Sequence, residues 1–386
     1  MNIYADGKES SLAESLNGHV LNIVFSVNRA CNLRCKHCCL SNEYKSSKEI
    51  ISLEMIHNYC SMLDKWLENT PSGISHISLL MSGGEISLLP DDIFNEYANT
   101  IYEFYQKCKN KFPHIAFSFA ILSNLIDLSD SQKEWIINTT QHSIGNDLIF
   151  NLFTSYDKYT DRFHKPQILK KWESNIQWAR ENNIDPVVIW SISKKDAQNA
   201  TEIINYFESL NLKVLYVPVL PTGESLNNES MYPDYENFIS FLKQVYSYPY
   251  KYLMFTEQSK PYHYDRLMNL ILDQKGFVMF DLLQDLVTEY ENTKKFTINN
   301  QYIHNKNKHI FIMEESIDKS VESMQNLWKG FVAQDRKYMK ESRCHSCEFF
   351  EHCKGGIGTF KPVFHTKNKC SGFKPFLLDY YKESFD

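Results

Sequence analysis

The amino-acid sequence predicts an α/β fold with a parallel sheet, followed by a smaller C-terminal module. Between residue 24 and about residue 220, short apolar stretches typical of strands alternate with longer stretches typical of helices. Alternation of this kind favours parallel strands joined by right-handed crossovers. The length of 386 residues suits one large domain with a smaller one attached.

Six strands and the helices between them can be placed along the first part of the chain. Strands are predicted at residues 21–27, 76–81, 115–122, 148–154, 186–193 and 213–220. Helices are predicted at residues 54–67, 91–109, 132–138, 168–181 and 200–210. The second of these helices has a clear start signal, because Pro90 is followed by two aspartates.

The composition is that of a globular protein, with 43% hydrophobic residues. The net charge of −6 argues against a general nucleic-acid binder. The chain shows no apolar run of transmembrane length and no signal peptide, so no membrane partner is expected. Most of the ten cysteines lie in two short runs, which points to metal binding in a reducing cytoplasm instead of disulfides.

The first cysteine run follows the first predicted strand. Cys31, Cys35 and Cys38 have the spacing C-x3-C-x2-C. Three thiolates in one short loop suit three irons of a cubane iron–sulfur cluster and leave its fourth iron open. Three buried or zinc-bound cysteines at this spacing by chance are the alternative. Cys39 lies outside the spacing and is interpreted as a small hydrophobic residue.

This run resembles the cluster loop of the radical S-adenosylmethionine (SAM) enzymes, whose signature is C-x3-C-x-aromatic-C. His37 takes the aromatic position, which in the family packs near the adenine of SAM; tyrosine or phenylalanine is more usual there. The family places this loop after the first strand of a partial TIM barrel. The resemblance therefore implies that the six predicted strands form an open (β/α)6 barrel.

A glycine pair and a carboxylate follow the second predicted strand, at the edge where parallel barrels place active sites. Gly83 and Gly84 let the backbone come close to a ligand, and Glu85 can bind an ammonium group. The segment resembles the family's Gly-Gly-Glu motif, which holds the amino group of SAM. An ordinary Gly-Gly turn is the alternative.

Polar residues also end the third, fourth and fifth predicted strands. Ser123 and Asn124 stand where relatives often carry Thr-Asn-Gly. Ser155 and Asp157 resemble the family's Ser-x-Asp-Gly, and Ser191 ends the fifth strand. The resemblance implies that these polar groups lie near the ribose and carboxylate of SAM. Turn chemistry or helix capping is the alternative for each of them.

Groups that could provide a cation or accept a proton follow the later strands. Arg162 and His164 resemble, in a displaced position, a family segment that contributes a cation to the SAM carboxylate. Candidate proton acceptors at the barrel mouth are Asp157, Tyr216 and Glu224, with no catalytic role assigned to any of them.

The second cysteine run lies near the C-terminus. It comprises Cys344, Cys347 and Cys353, with Cys370 further on. Four thiolates can saturate a 4Fe-4S cluster or hold a structural zinc ion. With residues 327–330, the run resembles the SPASM module, the auxiliary-cluster domain of peptide-modifying radical SAM enzymes. A full module has seven cysteines, so the resemblance implies one fully ligated auxiliary cluster that transfers electrons.

Four segments are therefore expected along the chain. They are a lead-in at residues 1–20, a radical SAM partial barrel at residues 21–231, a helical bridge at residues 232–300, and an auxiliary-cluster module of the SPASM or twitch type at residues 301–386. The resemblance covers about residues 21–224 and 327–372.

The resemblance implies an enzyme with SAM and two [4Fe-4S] clusters as cofactors. The family uses a reduced cluster to cleave SAM and make a 5′-deoxyadenosyl radical, which abstracts hydrogen from an unactivated carbon. The implied function is oxidative modification of a ribosomally made precursor peptide by a C–C, C–O or thioether bond. Flavodoxin or ferredoxin is the expected electron donor.

Three other functions stay open. One is a radical dehydrogenase acting on a small molecule such as an aminosugar, an option that the missing SPASM cysteines favour. Another is a protein maturase that forms formylglycine. The third is a regulatory module that holds iron–sulfur or zinc without being an enzyme. Neither the substrate nor the oligomeric state follows from the sequence.

Overall fold

A single mixed sheet with helices packed against it forms the centre of the protein. In a computed structural model, the described residues are 19–68, 74–219, 223–228, 230–246, 266–280, 310–341 and 346–349. The strands are β1 His19–Ser26, β2 Ile74–Ser82, β3 Ala116–Leu122, β4 Phe150–Tyr156, β5 Val187–Ile192, β6 Lys213–Pro218, β7 Arg266–Leu272, β8 Phe277–Phe280 and β9 Ile310–Ile312. The helices are α1 Asn42–Ser46, α2 Leu53–Glu68, α3 Asp91–Lys111, α4 Asp130–Gly145, α5 Pro166–Glu181, α6 Lys194–Gln198, α7 Ala200–Ser209, α8 Tyr235–Tyr246 and α9 Ile317–Glu341.

The strand order is β6-β5-β4-β3-β2-β1-β7-β8-β9. Every pair from β6 to β7 is parallel, whereas β8 and β9 are antiparallel to their neighbours. The seven parallel strands alternate with helices, as in a partial TIM barrel, which confirms the predicted fold class. Their carboxyl ends all lie at one edge, called here the strand-end edge, and this edge carries the candidate site.

Alternating burial along the strands separates the two faces of the sheet. In β5, Val188, Trp190 and Ile192 are buried, whereas the residues between them are partly exposed. The Trp190 ring contacts Phe207 of α7 and Phe241 of α8, at centroid distances of 5.5 and 5.2 Å. The buried face therefore points to the helices, and the partly open face forms the inside of the barrel.

The last helix completes the helical layer beside the first. Trp328 of α9 meets Trp66 of α2 edge to face, with ring centroids 5.6 Å apart. Both rings are almost fully buried, and burial of each contributes on the order of 2–3 kcal/mol. Within the described ranges, no helix combines the length and apolar character that a membrane crossing requires.

The expected helical bridge at residues 232–300 is wrong in part, because only α8 is a helix among its described residues. Residues 266–272 form β7, which pairs with β1 and extends the sheet beyond the six predicted strands. A short apolar run fits a buried strand or a buried helix equally well, so periodicity could not decide. Gly276, at φ 84°, makes the turn into β8. Residues 247–265 and 281–300 lie outside the described ranges.

Candidate active site

The predicted cluster loop lies at the strand-end edge, directly after β1. Cys35 is buried, and Cys31 and Cys38 are partly buried. They pack around the apolar side chains of Leu33 and Ile126. The Cys38 N–H donates to the Cys35 carbonyl oxygen at 3.2 Å, which turns the loop back on itself. The three predicted ligands therefore belong to one small apolar cluster.

The three thiols have different pKa values because their surroundings differ. Burial raises the pKa of the Cys31 thiol to about 12 and that of Cys35 to about 11. A hydrogen bond with the Cys39 thiol lowers the pKa of Cys38 to about 6. Because metal ligands must be thiolates, binding iron at this loop releases protons, and the metal charge offsets the cost of ionising the buried sulfurs.

The donor set suits an iron–sulfur cluster. The three thiols belong to one short loop and pack around the same apolar side chains. In a cubane each thiolate binds a different iron, so three neighbouring cysteines on one loop are the ligands required.

The two glycines after β2 form the base of this loop. The Gly84 N–H donates to the Asn28 carbonyl oxygen at 3.0 Å, and the Glu85 N–H to that of Ala30 at 2.8 Å. A Cβ on Gly83 would collide with Asn28, and one on Gly84 with the carbonyl oxygens of Arg29 and Ala30. The close approach that the glycines permit is therefore made by the backbone leading into the cysteines.

Glu85 is buried, with 3% of its surface exposed. Its carboxylate accepts hydrogen bonds from the Ser123 hydroxyl at 2.7 Å, the Asn124 N–H at 2.7 Å and the Ser87 N–H at 2.9 Å. Burial raises its pKa, and these donors oppose the shift. Glu85 thus ties the end of β2 to the end of β3. Its predicted contact with the SAM ammonium group stays a prediction.

Asn124 extends this connection to the cluster loop. Its side-chain amide donates to the Asn32 side-chain oxygen at 2.7 Å, next to Cys31. The Asn124 oxygen accepts from the Ile126 N–H at 3.0 Å, a local turn of the kind that the sequence left open. Ser123 and Asn124 therefore lie at the predicted site, where they orient Glu85 and the loop.

Asp157 joins the fourth and fifth strand ends to the cluster loop. Its fully buried carboxylate pairs with Arg162 and lies 3.1 Å from His37 Nε2. The second oxygen accepts the Ser191 N–H at 3.0 Å. Burial alone would raise the pKa of Asp157, but His37 and Arg162 outweigh it and hold the pKa well below its usual range.

His37, at the aromatic position of the motif, is 6% exposed. Its Nδ1 has no hydrogen-bond partner among the described residues. Ser155 and Ser191 lie on the partly open face of β4 and β5, as expected for groups inside the barrel. His164 is exposed, and among the described residues its one hydrogen bond is with the nearby Asp161 carbonyl oxygen. Of the two candidate cations, Arg162 is the one that reaches this region.

The candidate proton acceptors are placed differently from the sequence expectation. Tyr216 lies on the helix-facing side of β6, where its ring meets Phe241 at 5.0 Å and is 2% exposed. The Glu224 carboxylate accepts the N–H of Asn42 at the start of α1. Asp157 is already ion-paired with Arg162. These contacts disfavour proton acceptance by Asp157, Tyr216 or Glu224. Tyr216 also does not lie at the barrel mouth.

Glu224 instead belongs to a clamp on the cluster loop. Its N–H donates to the Cys38 carbonyl oxygen at 3.1 Å. Gly223 adopts φ 55°, and a Cβ there would collide with the Cys39 backbone. Cys39 itself is exposed, and its interpretation as a small hydrophobic residue instead of a ligand stays a prediction. The loop after β1 thus reaches the segment after β6, at the far end of the parallel strands.

The sequence reasoning missed the group that anchors the other end of the loop. Arg29 donates to Asp273 at 3.2 Å and Gln274 at 3.0 Å, and pairs with Glu49 at 2.9 Å. The Gln274 amide also donates to Ser26, at the end of β1. The available signals were an arginine two residues before the first ligand and an Asp-Gln pair after an apolar run. Recognising them required the β1–β7 pairing.

The second cysteine run is only partly described. Cys347 is partly buried and packs against the main core, and the adjacent Phe349 is buried. Cys344, Cys353 and Cys370 lie outside the described residues. The four-cysteine auxiliary site therefore stays a prediction.

Comparisons with known families, sequences and structures bear on the fold of this chain. No family model matches the sequence. No curated protein sequence matches it either. Among solved structures, a histidine-tagged form of anSMEcpe with bound AdoMet is similar at 14% identity and TM-score 0.62, over 95% of this chain and 93% of that chain.

Two further solved structures contain peptides. Native anSMEcpe with bound AdoMet and Cp18Cys peptide matches at 13% identity and TM-score 0.58, over 94% of this chain and 95% of that chain. Streptococcus suis SuiB bound to precursor peptide SuiA matches at 12% identity and TM-score 0.52, over 92% and 76%. These proteins are radical SAM enzymes. This chain therefore has the fold of the radical SAM enzymes, as the cysteine run and strand alternation predicted.

Proposed function

We propose that the protein is a radical SAM enzyme that oxidatively modifies a ribosomally synthesised precursor peptide. The observation that carries this proposal is the position of the three cysteines. They belong to one small apolar cluster at the strand-end edge, and the glycine pair after β2 supports the backbone that leads into them. The fold is one in which solved relatives hold AdoMet.

In this proposal Cys31, Cys35 and Cys38 would hold a [4Fe-4S] cluster, which would supply a binding site for SAM and the one-electron chemistry that cleaves it. His37, which lies beside Asp157, would contact the adenine. Glu85, held by the ends of β2 and β3, would take the ammonium group.

The chain's own residues would bind the reacting groups and hold them in position. The loop after β1 is held at the strand-end edge between its anchors at Arg29 and Glu224. In the proposal these anchors would keep the loop, and the cluster that it holds, in place. Asp157 and Arg162 fix His37, and the half-exposed serines of β4 and β5 offer hydrogen bonds inside the barrel. Such pre-organised contacts hold a reacting group in place without reorganisation during the reaction.

A peptide substrate is supported by the bound peptides in the matched anSMEcpe and SuiB structures. Both matches span most of this chain, including residues beyond the barrel. The bond formed, whether C–C, C–O or thioether, is an inference from the SPASM resemblance. Formylglycine formation also takes place on a peptide, and the modified product distinguishes the two reactions.

The enzymatic proposal is tested with anaerobically reconstituted protein, SAM and dithionite. The wild type should contain iron and sulfide and should release 5′-deoxyadenosine. Cys35→Ala should lose both the cluster and SAM cleavage. Cys39→Ser is the matched control from the same loop, since its hydroxyl can still donate a hydrogen bond to Cys38, and it should keep both. SAM cleavage by Cys35→Ala at the wild-type rate would refute the assignment.

The substrate proposal is tested by co-expression with the peptide encoded by the short open reading frame nearest the gene. Mass spectrometry should detect loss of two hydrogen atoms from the peptide, with a crosslink in its fragments. An aldehyde at a former cysteine or serine would identify the formylglycine reaction instead. An unmodified peptide, with SAM cleavage stimulated by an aminosugar, would favour the small-molecule dehydrogenase.

The auxiliary cluster and the electron donor belong to the same proposal. Cys344, Cys347, Cys353 and Cys370 would hold a second [4Fe-4S] cluster that accepts the substrate's electron, and flavodoxin or ferredoxin would reduce the first cluster. Iron should approach two cubanes per chain, and Cys347→Ala with Cys353→Ala should halve it. One zinc ion per chain and a single cubane would end the electron-acceptor proposal.

A further inference from the structure

A buried lysine lies beside the cluster loop. Lys45 is the penultimate residue of the five-residue helix α1, and only 2% of its surface is exposed. Its ammonium group has one polar contact among the described residues, a long one of 3.5 Å to the Cys35 carbonyl oxygen. Because an ammonium group loses its hydration on burial, a site like this is strongly unfavourable unless an opposite charge lies nearby.

The other buried cations near the loop have carboxylate partners. Arg29 pairs with Asp273, and Arg162 pairs with Asp157. Within the described ranges, no carboxylate lies within ion-pair distance of Lys45. Among the described residues, no side-chain carboxylate supplies the opposite charge.

The backbone around Lys45 is firmly positioned. The Lys45 carbonyl oxygen accepts the Cys31 N–H at 3.2 Å, so the lysine is joined to the first ligand. The Ser41 hydroxyl caps the start of α1 by accepting the Tyr44 N–H at 3.1 Å, and Glu224 accepts the Asn42 N–H. These contacts hold α1, and with it the lysine, against the cysteine loop.

The Lys45 ammonium group lies beside the predicted ligands themselves. Its Nζ is 3.5 Å from the carbonyl oxygen of Cys35, and its own backbone is joined to Cys31. Because cysteines bind iron as thiolates, a cluster held by this loop would bring negative charge next to the buried ammonium group.

We propose that Lys45 is the fixed counter-charge of the three-thiolate site and makes reduction of its iron–sulfur cluster easier. This inference rests on the proposed function, because it needs a cluster at these cysteines. Reduction transfers one electron from a low-potential donor to the cluster, and no bond forms or breaks. The reduced cluster carries one more negative charge, so a buried cation nearby stabilises it more than the oxidised form.

The test compares three variants of the reconstituted full chain. Lys45→Met removes the charge but keeps an apolar side chain of similar length, and Lys45→Arg restores the charge. Lys36→Met is the matched control, since Lys36 lies on the same loop but is 56% exposed and paired with Asp161. Iron and sulfide are measured first. The midpoint potential is then measured by titration, using the electron paramagnetic resonance signal that responds to SAM.

We expect Lys45→Met to keep its iron and to shift the reduction equilibrium about tenfold against the reduced form, which is 59 mV for a one-electron couple. Lys45→Arg and Lys36→Met should stay near the wild-type potential. Loss of iron from Lys45→Met but not from Lys45→Arg would also support the proposal, because Arg keeps the positive charge of Lys45 and Met does not.

Three results would overturn the inference. The first is an unchanged midpoint potential in a fully loaded Lys45→Met protein. The second is loss of iron from both Lys45 variants, which would show that the side-chain shape matters and not its charge. The third is weaker SAM binding in Lys45→Met without any change of potential. A wild-type protein that takes up no iron–sulfur cluster would instead refute the proposed function.

Discussion

The buried ion pair between Asp157 and Arg162 can be broken with little change of shape. Asp157→Asn removes the negative charge, while an amide oxygen can still accept the Ser191 N–H. Arg162 would then be left without its carboxylate partner at a site where its side chain is 14% exposed. Removing one partner of such a pair costs about 3–5 kcal/mol, because the remaining charge stays buried.

Urea unfolding followed by tryptophan fluorescence measures this loss. Asp157→Asn should lower the free energy of unfolding by about 3–5 kcal/mol. The double variant Asp157→Asn with Arg162→Met should recover part of the loss, since no charge remains unpaired. Asp318→Asn is the control, because it breaks an exposed pair with Lys65 at 2.7 Å. It should cost less than about 1 kcal/mol.

Two outcomes would refute this reasoning. One is an Asp157→Asn protein as stable as Asp318→Asn, which would mean that the pair is not desolvated. The other is a double variant less stable than Asp157→Asn alone, which would mean that Arg162 does not depend on Asp157 for its stability.

Further predictions concern the neighbouring groups. Gly84→Ala should lower the free energy of unfolding by about 1–3 kcal/mol in urea and reduce iron uptake, whereas Gly145→Ala, with open space around it, should do neither. Burial raises the pKa of Asp196 to about 6, so the folded state keeps this proton longer than the unfolded state. Stability should therefore fall by about 3 kcal/mol as the pH rises from about 4 to about 6. Asp196→Asn should remove this loss, and an unchanged pH profile would contradict the assignment. Glu85→Ala should weaken SAM binding by about 1.5–3 kcal/mol in a titration while iron is retained; unchanged affinity would exclude the ammonium contact.

Local signals predicted the parallel strands and their helices well. The helix expected at residues 91–109 is α3 Asp91–Lys111, because proline and two aspartates mark its start. The strand expected at residues 115–122 is β3 Ala116–Leu122. Both are decided by residues within the element itself. The strand β7 was missed because its identity depends on β1, more than 240 residues earlier in the chain.

The residue types of the site could also be predicted, but their partners could not. The spacing singled out the cysteines, and the preceding glycine pair at the end of a predicted strand singled out Glu85. Neither indicates that the Glu85 carboxylate accepts from Ser123, which depends on β2 and β3 being neighbours in the sheet. Lys45 gave no signal at all, since an isolated lysine in a polar stretch is normally exposed.

The two anchors of the cluster loop have a consequence for synthesis of the protein on the ribosome. Asp273, the partner of Arg29, comes as much as 244 residues later in the chain. Glu224, which donates to the Cys38 carbonyl oxygen, lies after β6, at the far end of the parallel strands. At about 5–20 residues per second, the loop is synthesised about 12–50 s before Asp273 is made. Until then its thiols lack their final surroundings and are open to solvent and oxidants. Delivery of iron and sulfide should therefore follow completion of the sheet, and a chain truncated before Asp273 should load its cluster poorly.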